Sequence, residues 1–148
     1  MHTVAILVLA VASIPLFIVD IREHRLPNEW TGALAAAGLL INAAKAIFSG
    51  SPRPIAASLI AGGRGLAAMW LLHLVTRAGI GFGDVKLVAA LGLLLADRTT
   101  LLFVVCIAFM AAALWLLPQF AVGRYRRDSR LAFGPFILIG AWSAIALT

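Results

Sequence analysis

Six carboxylates occur in this chain of 148 residues: Asp20, Glu23, Glu29, Asp84, Asp97 and Asp128. Two stand where a carboxylate is expensive. Asp20 closes a long apolar run, and Asp84 opens another within "GFGDVKLVAALG", residues 81–92. At the edge of a hydrophobic span such a group needs water, a partner or a function. For Asp84 the plain alternative is a helix N-cap, since aspartate suits a helix start and its dipole. Asp20 falls at the C-terminal end of its run, where the dipole disfavours negative charge. Its plain alternative is an interfacial acid, solvated or paired with Arg22 or Arg25. Two carboxyls on one face suit acid–base chemistry. Held close, they cannot both ionise cheaply and share a proton, so one can activate water while the other protonates a leaving group. Gly81 and Gly83 fit this chemistry, because bare backbone lets a substrate chain approach the carboxylate. A simple turn before a helix explains them equally well.

The elements that must carry these acids follow from composition. Hydrophobic residues make up 63% and charged residues 12%, against about 45–50% and about 25% in soluble domains. A soluble fold of this size has nowhere to hide that much apolar surface, so the solvent is lipid. With spans of about 20 residues, the candidates are roughly 2–20, 30–48, 55–76, 84–97, 99–122 and 131–147. Backbone in lipid must satisfy its own hydrogen bonds, which gives an all-α, polytopic transmembrane helical bundle of about six spans. Residues 1–148 read as one integral-membrane domain. The fourth span is short and only "DRTT" separates it from the fifth, so these two read as a helical hairpin or include a tilted or re-entrant piece. "MHTVAILVLAVAS" lacks the basic segment of a signal peptide and reads as a retained first helix. The lone Cys106 permits no disulfide framework within the chain; it reads as a small core or lipid-facing residue.

The net charge of +6 is not clustered as a phosphate-binding face would be, so nucleic acid is not expected as a partner. The basic residues lie mostly in the gaps. Gaps one, three and five hold Arg22, Arg25, Arg77, Arg124, Arg126, Arg127 and Arg130; gaps two and four hold Lys45, Arg53 and Arg98. The positive-inside rule puts the odd gaps in the cytoplasm and both termini outside. Asp20 ends span one and Asp84 begins span four, so the two acids reach the cytoplasmic side at similar depth although 64 positions apart in sequence.

Three further signals add specificity. "DIREHRLPN" joins Asp20 to a turn at Pro27 and Asn28, "GFGDVKL" holds Asp84 and Lys86, and "FGPF", residues 133–136, opens the last span with Gly134 and Pro135. In this order the chain resembles the type IV prepilin peptidase family, membrane aspartic peptidases of the GxGD class, over nearly its whole length. The resemblance implies that Asp20 and Asp84 are the two catalytic aspartates. It implies removal of a short basic leader from prepilin, pseudopilin or archaellin-like precursors, each a leader followed by an apolar helix, at the cytoplasmic face of the cell membrane. Pro27, Asn28, Gly81, Gly83, Lys86, Gly134 and Pro135 would then shape the site. Longer bacterial members carry a segment with paired CxxC motifs and also methylate the new N-terminus. This chain resembles the short branch, as in tight-adherence (Flp-type) pilus systems or preflagellin peptidases, so leader removal without N-methylation is expected.

Helix dipoles suggest how the roles divide. Asp84, at the positive end of helix four, reads as the acceptor of the water's proton, and Asp20, at the negative end of helix one, as the donor to the leaving amine. Lys86 either snorkels to the interface or tunes the site or touches substrate. His24 and His73 show no metal-ligand pattern and read as interfacial. No cofactor or metal is expected, and membrane lipid is the surrounding partner. Arg64, in "AGGRGLAAMW", should snorkel outward, toward Asp97. The competing function is non-enzymatic: a small transporter or a subunit of a secretion or pilus assembly, with the acids lining an ion path.

Overall fold

The computed structural model describes residues 2–23, 26–76, 80–121 and 132–147. Among them are six helices and no strand: α1 His2–Glu23, α2 Asn28–Ser49, α3 Arg53–Val75, α4 Phe82–Leu95, α5 Arg98–Ala121 and α6 Gly134–Leu147. Each expected apolar run is therefore matched by a helix, within a few residues of its expected ends, although α4 and α6 have only 14 residues each. Of the basic residues used for orientation, Arg25, Arg77, Arg124, Arg126, Arg127 and Arg130 lie outside the described residues, as do His24 and Asp128.

Among the described residues, four stretches are long and apolar enough to cross a membrane: Thr3–Glu23, Asn28–Ser49, Arg53–Val75 and Arg98–Gln119. Their outward faces are apolar, as lipid requires; Leu40, Ile47, Leu71 and Leu114 are exposed. The protein is a multi-pass membrane protein.

The fourth helix is as short as the sequence reading of 84–97 expected, and begins slightly earlier. It has 14 residues, about 21 Å at 1.5 Å per residue, against a hydrocarbon core of about 30 Å. Its shortness is tolerated because α4 is the central helix, packed against α2, α3, α5 and α6. Val85, Leu87, Val88, Ala90, Leu91 and Leu94 are all buried, so every face of the helix meets protein. Backbone approach is close: a Cβ on Gly92 would lie 2.7 Å from the carbonyl oxygen of Ala61, and one on Gly38 2.7 Å from the Leu94 nitrogen. Small residues at helix contacts do what hydrophobicity cannot do between apolar surfaces in lipid.

The C-terminal end of α4 packs against neighbouring helices, with Leu94 buried. Side chains of those helices satisfy its last carbonyls. Asn42 Nδ2 donates to the carbonyl of Leu93 at 2.9 Å, to that of Leu94 at 3.4 Å and to that of Gly38 at 2.9 Å. Ser58 Oγ donates to Leu93 at 2.6 Å. At the other end of α4, the start of α2 is held by Thr31 Oγ1, which donates to the carbonyls of Pro27 and Asn28 at 3.2 Å each.

Helix order fixes polarity. Asp20 in the last turns of α1, Asn28 at the start of α2, Asp84 in the first turn of α4 and Gly134 at the start of α6 share one end of the bundle. Lys45, Leu95, Asp97 and Ile145 share the other, where a single cavity brings the last three beside Lys45. Arg64 is exposed and, among the described residues, makes no ion pair with Asp97. The Asp97 carboxylate instead accepts the backbone N–H of Thr100 at 2.6 Å and caps α5. The nearby cap, formed within one turn, supplies the partner that Arg64 was expected to supply. Cys106 is exposed on α5, toward lipid.

Candidate active site

The loop after α1 places "LPN" beneath both motifs. Pro27 adopts extended backbone (φ −65°, ψ 129°) and separates α2 from α1. The preceding Leu26 turns inward. A Cβ on Gly83 would meet Leu26 Cβ at 2.9 Å, and one on Gly134 would meet Leu26 Cδ2 at 3.2 Å. Leu26 is therefore a wedge between the "GFGD" turn and the "FGPF" turn, and it draws α4 and α6 together at this end. The sequence reading singled out Pro27 and Asn28 and passed over Leu26, because an apolar residue in an interfacial loop carries no chemical signal of its own.

Asp84 and Asp20 are each buried, at 5% and 4% exposure, so Asp20 is not a solvated interfacial acid. Asp84 stands in the first turn of α4; its N–H bonds to the Gly81 carbonyl at 3.1 Å, and the backbone N–H of Gly81 donates to its carboxylate. No N-capping side chain serves α4, since the cap position is Gly81. Asp84 thus lies inside the helix rather than capping it. The charge of Asp20 acts directly on Asp84. Asp20 on α1 and Asp84 on α4 therefore lie within electrostatic reach of each other at one end of the bundle.

Asp20 is anchored by the last motif. The Gly134 N–H donates to Asp20 Oδ2 at 3.0 Å. A Cβ at position 134 would stand 2.6 Å from that same oxygen, closer than two non-bonded atoms tolerate. Pro135 follows in the first turn of α6, where its missing N–H costs nothing, and the Phe136 and Ile137 amides turn back to the Phe133 carbonyl at 3.0 and 3.2 Å. Phe133 is buried and packs its ring 4.9 Å from that of Phe109 on α5. "FGPF" therefore builds a helix N-terminus that points one amide at Asp20.

Two sequence-based expectations change here. Gly83 does not open a path for a substrate chain, because Leu26 fills the space its side chain would take; the open glycine is Gly81, which is exposed and would set a Cβ 3.2 Å from Asp84 Oδ2. The division of roles by helix dipole is also left undecided. It considered each aspartate on its own helix, whereas Asp20 also faces the N-terminus of α6. Both carboxylates receive a backbone N–H at a helix start.

Lys86 neither snorkels freely nor joins the pair. Its Nζ donates to Asn28 Oδ1 at 2.8 Å and lies 5.0 Å from the centre of the Phe82 ring. It ties the start of α2 to the start of α4, so Asn28 and Lys86 act as one brace. His73 makes a second brace: Nδ1 is 2.6 Å from the carbonyl oxygen of Ile80 and its ring meets Phe82 edge-on at 6.0 Å. Among the described residues no three acids, histidines or cysteines converge to hold a metal ion.

The fold and the site together define a multi-helix membrane protein with a buried carboxyl pair at one end of the bundle. The sequence profile of the type IV leader peptidase family matches residues 7–117, and the chain belongs to that family. The matched stretch contains Asp20 and Asp84; Gly134 and Pro135 follow it. The chain is 28% identical over 97% of its length to the prepilin leader peptidase/N-methyltransferase of Aeromonas salmonicida (strain A449), of which it covers 49%. It is 29% identical over 92% of its length to the protein of that name from Neisseria gonorrhoeae, covering 46%. With the protein of that name from Burkholderia pseudomallei (strain K96243) it shares 34% over 89% of its length, covering 42%. The chain thus spans about half the length of the curated relatives it matches. No solved structure matches it significantly.

Proposed function

We propose that this protein is a membrane aspartic endopeptidase that removes the leader peptide from prepilin-like precursors, with Asp20 and Asp84 activating water between them. The observation that carries the reading is the buried pair itself: two carboxylates from α1 and α4, electrostatically coupled, each oriented by a backbone N–H. Family membership and the names of the relatives agree with it.

In this mechanism the pair holds one proton between its oxygens, because two adjacent buried charges repel. A water held between the carboxyls gives its proton to the ionised member and attacks the peptide carbonyl. The protonated member passes its proton to the nitrogen of the departing amine. The Gly134 and Gly81 amides fix the two carboxyl planes, and the Lys86–Asn28 brace keeps α2 and α4 in register. The proposal covers hydrolysis only.

The site faces the cytoplasm in this reading, on the strength of the charge bias of seven basic residues against three between the odd and even gaps. The membrane would be the cell membrane, and the substrate would present its leader at the aspartate end with its apolar segment in lipid. Co-expression with a candidate prepilin tests the activity: leader removal, seen as a shift in precursor size, is expected with the native chain and absent with Asp20→Asn or Asp84→Asn. A precursor left uncut by the native, membrane-inserted chain would count against the assignment.

A further inference from the structure

At the end of the bundle opposite the aspartates, a cavity of about 520 Å³ is lined by Ala5 and Ile6 of α1, Lys45 of α2, Leu94 and Leu95 of α4, and Asp97 beside Thr100 and Ile145. Its walls are apolar except for Lys45, Asp97 and Thr100, and they carry one cation and one anion. Lys45 is half-buried and, among the described residues, its ammonium has neither an ion-pair nor a hydrogen-bond partner. Asp97 shares the cavity but does not close on Lys45. Its carboxylate is held in place by the N-terminus of α5, through Thr100 at 2.6 Å, and the backbone amides there keep it ionised below the usual carboxylate range. Opposite charges that line one apolar cavity without meeting are the complement of a ligand that carries both charges, separated by a few bonds. The cavity lies where α1 begins, α2 and α4 end and α5 begins, at the end of the bundle opposite the aspartates.

We propose that this cavity binds a phosphodiester carrying a primary amine, the head group of phosphatidylethanolamine, with its phosphate on Lys45 and its ammonium on Asp97. The chemistry selects this head group over its neighbours. A purely anionic head group satisfies Lys45 but meets the Asp97 carboxylate. A choline head group has no N–H to donate to that carboxylate. The volume lies in the range of sites for small ligands, and the apolar walls from Ala5, Ile6 and Ile145 suit the first carbons of the acyl chains. Nothing in this site depends on the aspartate pair, from which it is separated by the length of α4.

Native mass spectrometry of the purified full chain tests this. Phosphatidylethanolamine, phosphatidylcholine and phosphatidylglycerol with identical acyl chains are added in detergent, together with a fourth sample containing soluble glycerophosphoethanolamine. The expected result is selective retention of phosphatidylethanolamine. That preference should weaken about tenfold in Lys45→Gln and in Asp97→Asn, each of which removes one charge-assisted contact. Asn is itself a good N-cap, so the second variant keeps the start of α5. Binding of the soluble compound as tightly as the lipid would support the aminophosphate site and make the solute its source. Equal retention of phosphatidylglycerol or phosphatidylcholine by the native chain would overturn the proposal. So would an unchanged preference in both variants. The native-chain comparison decides the matter even if a variant fails to fold.

Discussion

Gly134→Ala is a one-carbon change whose effect can be worked out from distances. The added Cβ would stand 2.6 Å from Asp20 Oδ2, 3.1 Å from its Cγ and 3.2 Å from Leu26 Cδ2. Carbon atoms and their neighbours settle at about 3.5–4.0 Å, so the Asp20 carboxyl or the start of α6 must retreat by close to 1 Å. Retreat of the carboxyl lengthens its bond from the Gly134 N–H beyond the present 3.0 Å and breaks its alignment with Asp84. Displacement of this order in a catalytic group costs about 10²-fold in rate, and overpacking costs about 1–3 kcal/mol in stability. Precursor cleavage in membranes, normalised to inserted protein, should therefore fall about 100-fold. Gly63→Ala is the control, since a Cβ there meets nothing within 4 Å, and it should cleave normally. Gly134→Ala within about twofold of the native rate would refute the claim that the last motif positions Asp20.

Other expectations follow from the same contacts. Asn42→Asp replaces the amide that donates to Gly38, Leu93 and Leu94 with an acceptor facing three carbonyls. The chain should lose about 3 kcal/mol or more, visible as a lower unfolding temperature in detergent. Asp97→Ala removes the cap of α5 and should cost about 1 kcal/mol at neutral pH. Because the folded state holds the Asp97 carboxyl below its ordinary value of 3.8, its contribution is complete above that pH and disappears as pH falls through the lower, folded value. The difference between native and variant should accordingly shrink only in strong acid, and a constant difference down to that range would count against the ionic cap. Lys86→Met keeps the apolar stem but breaks the 2.8 Å bond to Asn28. It should lower the rate of cleavage more than precursor affinity, and a pure affinity effect would assign Lys86 to substrate contact instead.

Hydropathy made the depth of each residue along the membrane legible. Six apolar runs alternate in direction, so Asp20 at the end of the first and Asp84 at the start of the fourth had to share an end, and the described helices agree. Position around the bundle was not legible in the same way. Lipid and protein interior are equally apolar, so a stretch such as "VAALGLLL" carries no stripe to say which face meets what. For that reason the central place of α4, the wedge of Leu26 and the approach of the α6 N-terminus to Asp20 emerged only from packing. Asn42 and Ser58 did leave a trace, since a polar side chain within an apolar span needs a partner. Their partners, the last carbonyls of α4, depended on where α4 ends. Asp20 likewise stands where the ends of α1 and α6 meet, so the dipole of α1 alone does not decide its protonation.

The central claim is that Asp20 and Asp84 act as one catalytic unit, and cleavage rates of four chains test it most directly. The native chain, Asp20→Asn, Asp84→Asn and the double variant would be compared on one prepilin precursor, at matched levels of inserted protein. Groups that work together lose nearly everything when either is removed. Each single variant should therefore fall to the level of the double, at least about 10²-fold below native. Near-native cleavage by either inserted single variant, or single losses that multiply to give the double, would contradict the account.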